Sequence, residues 1–148
     1  MLAVLLLGVA AGAASAANAA LTPKQYKARL QAIAAESNKS QTLIGQGLQS
    51  KKMATLLTAL GQFAKLEDHL GNEVGALKPP PNAVAPNKQL AKGLHDIADA
   101  VRGVVVKLKG VKTVTQATSI LNKDTSGTKA GAEVSDALTK LGKLGYAS

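Results

Sequence analysis

Apolar residues recur every three or four positions in the second half of the chain, and this spacing constrains the fold more than any other feature. Such a pattern places the side chains on one side of an α-helix, because a helix has 3.6 residues per turn. Valines at 104–106 would also suit a strand, but Gly103 cuts that run short and the longer periodicity favours a helix. We predict a helix from Asn87, as its N-cap, to about Gly110. Its apolar residues are Leu90, Leu94, Ile97, Val101, Val104, Leu108 and Val111.

A helix start is also encoded near residue 22. Thr22 is a suitable N-cap, Pro23 takes the first helical position, and Gln25 can complete a capping box. The apolar spacing that follows predicts a first helix to about Leu48.

The second helix is predicted to begin near Ser50 and to carry apolar residues from Met53 to Leu77. Three prolines at 79–81 end it, because proline has no N–H to donate. Shorter apolar patterns follow at 114–122 and 130–144, and no strand pattern is sustained. The chain is therefore predicted to form an all-α, antiparallel up-down helical bundle of four long or medium helices, with 114–122 as a fifth, short helix.

The first nineteen residues, Met1 to Ala19, have the layout of a signal peptide. An apolar run at 2–9 passes into small residues with two Ala-x-Ala triplets, which is typical of a cleavage site. The alternative, a retained membrane anchor, is disfavoured because a spanning helix needs about 20 apolar residues. We expect residues 1–19 to be removed and 20–148 to form a single helical domain, either secreted or held in the periplasm or cell envelope.

The chain has no cysteine and an excess of lysine. An exported domain without cysteine must fold without disulfides, and a domain of this length can bury a sufficient core. The net charge is +9, and Arg29 and Arg102 are the only arginines. Lysine keeps a helical protein soluble, but it also attracts anionic polymers and membrane surfaces. Both interpretations stay open on composition alone.

Five lysines are predicted to lie at one end of the bundle. Lys51 and Lys52 precede the second helix, and Lys107, Lys109 and Lys112 lie at the end of the third. Antiparallel packing brings these segments together, and each lysine near an anionic surface contributes about 1 kcal/mol. Helix-dipole compensation explains part of this cluster. Nucleic acid is not an expected partner, because three aromatic residues are too few for base stacking.

The two histidines provide a candidate metal site. His69 and His95 are each followed, four residues later, by a carboxylate, Glu73 and Asp99. Antiparallel packing would set both histidines about 13 Å from the proline-rich connection, and four such ligands could hold zinc. Both histidines lie outside the apolar stripes, however. Ordinary solvated pairs on the helix surface are therefore the favoured interpretation, and no cofactor is predicted.

Glu67 interrupts the apolar stripe of the second helix. A buried carboxylate needs a partner or takes up a proton. Arg29 is the candidate partner, since an antiparallel first helix could bring it to the same level. We interpret Glu67 as a paired residue that fixes the helix register.

Nothing in the sequence supports nucleophilic catalysis. Cysteine is absent, and no serine lies in a strand–turn–helix context. The Gly-Gln-Gly at 45–47 lacks the third glycine and the preceding strand of a phosphate loop. We therefore predict that the protein is not an enzyme.

Three short motifs stand out: Leu-Thr-Pro-Lys-Gln-Tyr at 21–26, Ala-Leu-Lys-Pro-Pro-Pro at 76–81 and Leu-Gly-Lys-Leu-Gly-Tyr at 141–146. With the signal-like start, the chain resembles a loose group of small exported helical proteins of high-GC bacteria. Similar proteins often carry one cysteine in the first helix and one at the C-terminus, where Ala34 and Ser148 stand here. The resemblance implies an exported location and a helical fold, and it implies no activity.

These features together predict an exported, non-catalytic protein of the cell envelope. Its lysine-rich end is expected to contact an anionic cell-wall polymer or lipid surface. The alternative is a carrier of a small apolar ligand or a divalent metal between the helices.

Overall fold

Five α-helices make up the computed structural model, which describes residues 19–147. No strand occurs in these residues, so the predicted all-α bundle is confirmed. The predicted signal peptide lies outside the described residues except for Ala19. Between residues 19 and 147, no helix is long and apolar enough to cross a bilayer. The helices are α1 (Pro23–Gln49), α2 (Met53–Ala76), α3 (Val84–Lys107), α4 (Val114–Lys123) and α5 (Ser126–Lys143), with a 3-10 turn at Pro81–Ala83.

The start of α1 has the predicted capping box. The Gln25 backbone N–H donates to Thr22 Oγ1 (3.3 Å), and the Thr22 backbone N–H donates to Gln25 Oε1 (3.0 Å). Two donors that would otherwise lack partners at the helix start are thereby satisfied. The start of α2 differs, because it begins at Met53 rather than near Ser50. Lys51 has a left-handed backbone (φ 54°), and this reverses the chain between α1 and α2.

The predicted N-cap of α3, Asn87, is wrong by four residues, because Ala83 is the N-cap. The helix begins at Val84, and Asn87 lies inside it with 3 % exposure. Tyr26 donates its hydroxyl to Asn87 Oδ1, and Asn87 Nδ2 donates to the Val74 carbonyl, each over 2.9 Å. The amide thus links three helices instead of capping one. Pro86 fits in the first turn because N–H groups there have no partner within the helix.

The helices pack in the order α1, α2, α3, α5, and each is antiparallel to the one before it. α2 packs against both α1 and α3, and α3 packs against α5, whereas α1 and α5 scarcely touch. Two glycines permit the closest approaches. A Cβ on Gly47 would lie 2.8 Å from Ala59 Cβ, and one on Gly93 would lie 2.7 Å from Val134 Cγ2. The open side between α1 and α5 is the main departure from a closed four-helix bundle.

Most of the buried apolar side chains belong to two clusters at opposite ends of the bundle. The first core contains Tyr26, Leu30, Leu70, Val74, Ala83, Leu90, Ala91, Leu94, Ala137, Leu141 and Tyr146. The second core contains Leu56, Leu60, Val104, Leu108 and Ala117, the last of which seats the short α4. Along the helices, the buried polar residues Ser40 and Glu67 lie between the two cores.

Candidate functional site

The predicted lysine segments lie at the end of the bundle that holds the second core. Leu48 and Met53, which flank the α1–α2 connection, pack on the same cluster as Val111 of the α3–α4 connection. Lys51 lines an open hollow with Thr113, the N-cap of α4. The antiparallel packing thus brings Lys51 and Lys52 to the same end as Lys107, Lys109 and Lys112.

Lys107 differs from the other four lysines because it forms a salt bridge with Asp124. The Ser126 backbone N–H also donates to Asp124 (2.8 Å). The ammonium of Lys107 and the hydrogen bonds from Ser126 lower the pKa of Asp124 to about 2. Lys107 is therefore occupied in holding the start of α5, and sequence reasoning missed this because the salt bridge joins residues 17 positions apart, at the ends of two different helices.

Lys51, Lys52, Lys109 and Lys112 are exposed, and none of them forms a salt bridge within residues 19–147. Lys123, which sequence reasoning overlooked, is exposed at the end of α4 and lines the same hollow as Lys51. The short helix predicted at 114–122 could have indicated this position, because Lys123 directly follows it and the helix packs on the second core. We call these lysines the basic end: Lys51, Lys52, Lys109, Lys112 and Lys123.

Acidic residues are almost absent from the basic end. The sequence contains no Asp or Glu between Glu36 and Glu67, or between Asp99 and Asp124. These two stretches include the α1–α2 and α3–α4 connections. Asp124 is already paired with Lys107. The remaining positive charges at this end are therefore uncompensated, and they produce a one-signed surface potential.

The basic end also exposes apolar surface. Val106, which directly precedes Lys107 at the end of α3, is 60 % exposed. Ten hydrophobic residues around the second core are only partly buried. A solvated end that combines lysines with aliphatic side chains has the composition of an interfacial contact surface. The ten residues are Ile44, Leu48, Met53, Leu57, Val101, Val105, Val111, Val114, Ile120 and Leu121.

An apolar groove of about 600 Å³ lies on the open side between α1 and α5. Leu70, Leu90 and Leu94 form its floor, and Ile33 and Leu138 line its two sides. Every residue that lines the groove is uncharged, and the polar ones are Gln31, Ser37, Asn38, Ser135, Thr139 and Tyr146. The groove is thus suited chemically to a neutral, apolar molecule.

The four residues of the candidate metal site are not brought together, in line with the favoured interpretation that they do not form one site. His69 Nε2 lies 3.6 Å from Glu73 Oε1. Their third neighbour is Glu36 of α1, and one ligand atom of each lies within 4.8 Å of the others. His95 and Asp99 belong to a different network, so the four candidate ligands do not converge on one site.

His95 and Asp99 take part in a clamp between α2 and α3. His95 donates from Nδ1 to Asp68 Oδ1 (2.6 Å), and Arg102 donates to Asp68 (2.6 Å) and to Asp99 (2.7 Å). Hydrogen bonds from Arg102 and His95 lower the pKa of Asp68. Gly71 makes room for the imidazole, since a Cβ there would lie 2.9 Å from His95 Nε2. The contact with α2 thus holds His95 away from His69.

Glu67 is buried as predicted, with 4 % exposure, but its predicted partner is wrong. Burial raises the pKa of Glu67, and a hydrogen bond with the buried Ser40 opposes part of that rise. Arg29 lies eleven residues before Ser40, which is about 16 Å along the helix. It lines a separate hollow with Glu36 and Glu73. The register of α1 against α2 therefore excludes the Glu67–Arg29 pair.

No family model matches the chain, and no curated protein or solved structure shows significant similarity to it. Its function must therefore be inferred from its own charges, cavities and side-chain clusters.

Proposed function

We propose that the protein is an exported, non-catalytic component of the cell envelope that binds an anionic surface through its basic end. The observation that carries this proposal is the segregation of charge. Four of the five exposed lysines lie in the α1–α2 and α3–α4 connections and the fifth, Lys123, ends α4; the sequence around both connections contains no carboxylate, and the nearby Asp124 is paired with Lys107. A surface that only needs to be soluble normally carries charges of both signs. Solubility alone therefore does not explain why Asp and Glu are absent around these lysines.

The exposed aliphatic residues favour a lipid surface over a soluble polymer. Phosphate groups would attract the lysines whether they belong to lipid headgroups or to a soluble polymer. Only a bilayer interface offers an apolar phase for Val106, which is 60 % exposed at the end of α3. We therefore propose that anionic lipid headgroups are the preferred partner.

Charge-removing variants test the proposal. Lys51, Lys52, Lys109 and Lys112 are replaced together by glutamine, and co-sedimentation is measured with vesicles of phosphatidylglycerol and phosphatidylcholine. We expect a loss of binding of at least 30-fold at low salt, because each lysine contributes about 1 kcal/mol. Binding by the unchanged protein should also weaken as the salt concentration rises.

The matched control removes the same number of charges from the opposite end of the bundle. It replaces Lys24, Lys27, Lys88 and Lys143 by glutamine, so both variants have the same net charge. The control should lose no more than about threefold in affinity, on the scale of weak long-range electrostatics. Equal losses in both variants would show that net charge, rather than the basic end, is responsible.

Val106→Ser distinguishes the two kinds of anionic partner. We expect it to weaken binding to the vesicles several-fold, because burial of a valine side chain contributes about 1.5 kcal/mol or more. It should leave binding to soluble polyphosphate unchanged. Equal effects on both probes would favour a polymer over a lipid surface.

The apolar groove supports a second candidate function, the transport of a small neutral ligand. Its volume and its uncharged lining are the specific observations that favour this function. Such a ligand would lie between α1 and α5 on a floor of leucines. This function does not exclude the first, because the groove contacts the first core and the basic end surrounds the second.

A matched pair of tryptophan variants tests the groove. Ala34 lines it, whereas its exposed neighbour Ala35 does not. With the neutral fluorophore N-phenyl-1-naphthylamine as the probe, Ala34→Trp should reduce binding at least tenfold, because the indole fills the groove. Ala35→Trp should leave it unchanged. A probe that binds both variants as well as it binds the unchanged protein would exclude the groove as its site.

A further inference from the structure

We propose that Glu36, His69 and Glu73 form a binding site for a zinc-like divalent transition-metal ion between α1 and α2. Glu36 comes from the middle of α1, and the other two residues lie one turn apart on α2. One ligand atom from each residue lies within 4.8 Å of the others. This inference is independent of the basic end, which contains none of these residues.

The arrangement of charges is the first argument for a cation. Two carboxylates lie close together, and like charges at this distance repel each other. Glu73 forms a salt bridge with His69 over 3.6 Å, and Glu36 brings the second carboxylate to the same group. A divalent ion between the three side chains would convert the repulsion into attraction.

The chemistry of the ligands selects the kind of ion. Imidazole nitrogen with carboxylate oxygen is typical of zinc and related transition metals, whereas magnesium and calcium prefer oxygen alone. The His69 side chain is 58 % exposed and that of Glu73 is 43 % exposed. Water can therefore complete the coordination, and the ion can exchange with solvent.

The position of the site indicates what a bound ion would do. α1 packs mainly on α2 and scarcely touches α5. A metal held by one ligand from α1 and two from α2 would join these helices near the middle of α1. It would therefore oppose the separation of α1 from the rest of the bundle.

Thermal unfolding of the full chain without a histidine tag provides the test. Zinc sulfate at about ten times its dissociation constant should raise Tm by about 5 °C, whereas magnesium at the same concentration should leave it unchanged. Isothermal titration should give one zinc ion per chain. No rise in Tm and no binding heat with zinc would overturn the proposal.

Variants locate the ion. Glu36→Gln and His69→Ala should each reduce zinc affinity at least tenfold, as expected for the loss of a ligand. His95→Ala is the matched control, because His95 is the other histidine and lies in the clamp with Asp68. It should keep the affinity of the unchanged protein. Equal weakening by His69→Ala and His95→Ala would also overturn the proposal.

Arg29 gives an independent check that does not remove a ligand. Its side chain lines the hollow that also contains Glu36 and Glu73, so its positive charge disfavours a bound cation. Arg29→Gln should therefore increase zinc affinity about two- to fivefold. Cobalt provides a spectroscopic readout, because its visible absorption reports the ligand set, and the Glu36→Gln variant should lose that absorption. A spectrum that is the same in the variant would place the ion elsewhere.

Discussion

The two ends of the bundle differ in how completely their apolar side chains are buried. The first core has eleven buried residues and six partly buried ones, whereas the second has five buried residues and ten partly buried ones. Tyr26 and Tyr146 meet edge to face in the first core, with ring centroids 5.1 Å apart, and Asn87 satisfies the Tyr26 hydroxyl. The second core is aliphatic and surrounded by exposed lysines.

This difference indicates where the stability of the fold lies. Dense burial and satisfied buried hydrogen bonds stabilise the first-core end, where α1, α2, α3 and α5 all contribute. The second-core end keeps apolar and cationic groups at the surface, at a cost in stability. A binding surface is expected at the less stable part of a protein, because the same groups cannot be both buried and available to a partner.

The largest effect is expected from Tyr26→Ala, which removes a fully buried aromatic side chain from the first core. We expect a loss of about 3–5 kcal/mol in the free energy of unfolding, measured by urea denaturation followed by circular dichroism. Tyr26→Phe keeps the ring but leaves Asn87 Oδ1 without its donor. It should cost about 1–3 kcal/mol. A loss below 1 kcal/mol for Tyr26→Ala would contradict the importance of the first core.

A matched leucine pair makes the comparison between the two cores sharper. Leu70 lies in the first core and Leu56 in the second, and both are fully buried. We expect Leu70→Ala to cost about 4 kcal/mol and Leu56→Ala about 2–3 kcal/mol, since the partly buried neighbours of Leu56 can move into the cavity. Urea denaturation measures both. Equal or reversed losses would show that the cores do not differ in packing.

Glu67 lies between the cores, and its replacement should stabilise the protein. Burial raises the folded-state pKa of Glu67 above its value in the unfolded chain. The favourable contribution of its protonated form is complete below the unfolded pKa and is lost as the pH rises through the folded pKa. Glu67→Gln should therefore gain about 1 kcal/mol at pH 8, and this gain should shrink as the pH falls through the raised folded-state pKa and disappear below about pH 4.5, the unfolded value.

Glu67→Leu provides the companion measurement. It should leave the helical circular dichroism spectrum intact and the stability unchanged or raised. If Glu67→Leu does not fold while Glu67→Gln does, the hydrogen bond with Ser40 is required for the fold.

The smallest effect is expected from the clamp between α2 and α3. Asp68→Asn weakens the contacts of Asp68 with Arg102 and His95, all of which are partly exposed. We expect a loss of less than about 1 kcal/mol at pH 7. The pKa of Asp68 is lowered in the folded state, so the contribution exists above the unfolded pKa and disappears as the pH falls through the folded pKa. A larger loss, measured by urea denaturation, would mean that the clamp and not the first core holds these helices together.

The sequence predicted those features that follow from periodicity and local chemistry. The apolar stripes, the Thr22 capping box and the burial of Glu67 all follow from residues near one another in the chain. The hydrogen-bond partners of the buried polar side chains could not be predicted from the sequence, because these partners depend on the register between helices. Asn87 was mistaken for a cap, since its contact with Tyr26 spans 61 positions.

The functional candidates show the same limit. The clustering of lysines at one end could be predicted because it depends only on the direction in which each helix runs. Predicting the salt bridge of Lys107 would have required knowing that the chain brings Asp124 back to the end of α3. Predicting the site around His69 would have required the register that places Glu36 of α1 beside it. The open groove exists because α1 and α5 make few contacts with each other, and no local sequence pattern encodes this spacing.

Amide hydrogen exchange with and without phosphatidylglycerol vesicles tests the central claim most directly. In the free protein, amides of 26–33 and 70–94 should exchange more slowly than those of 44–60 and 101–123, because the first core is the more stable. Vesicles should increase protection at 50–53 and 106–123 and leave the first core unchanged. Equal exchange at both ends, or new protection confined to the first core, would contradict the division between a stabilising end and a binding end.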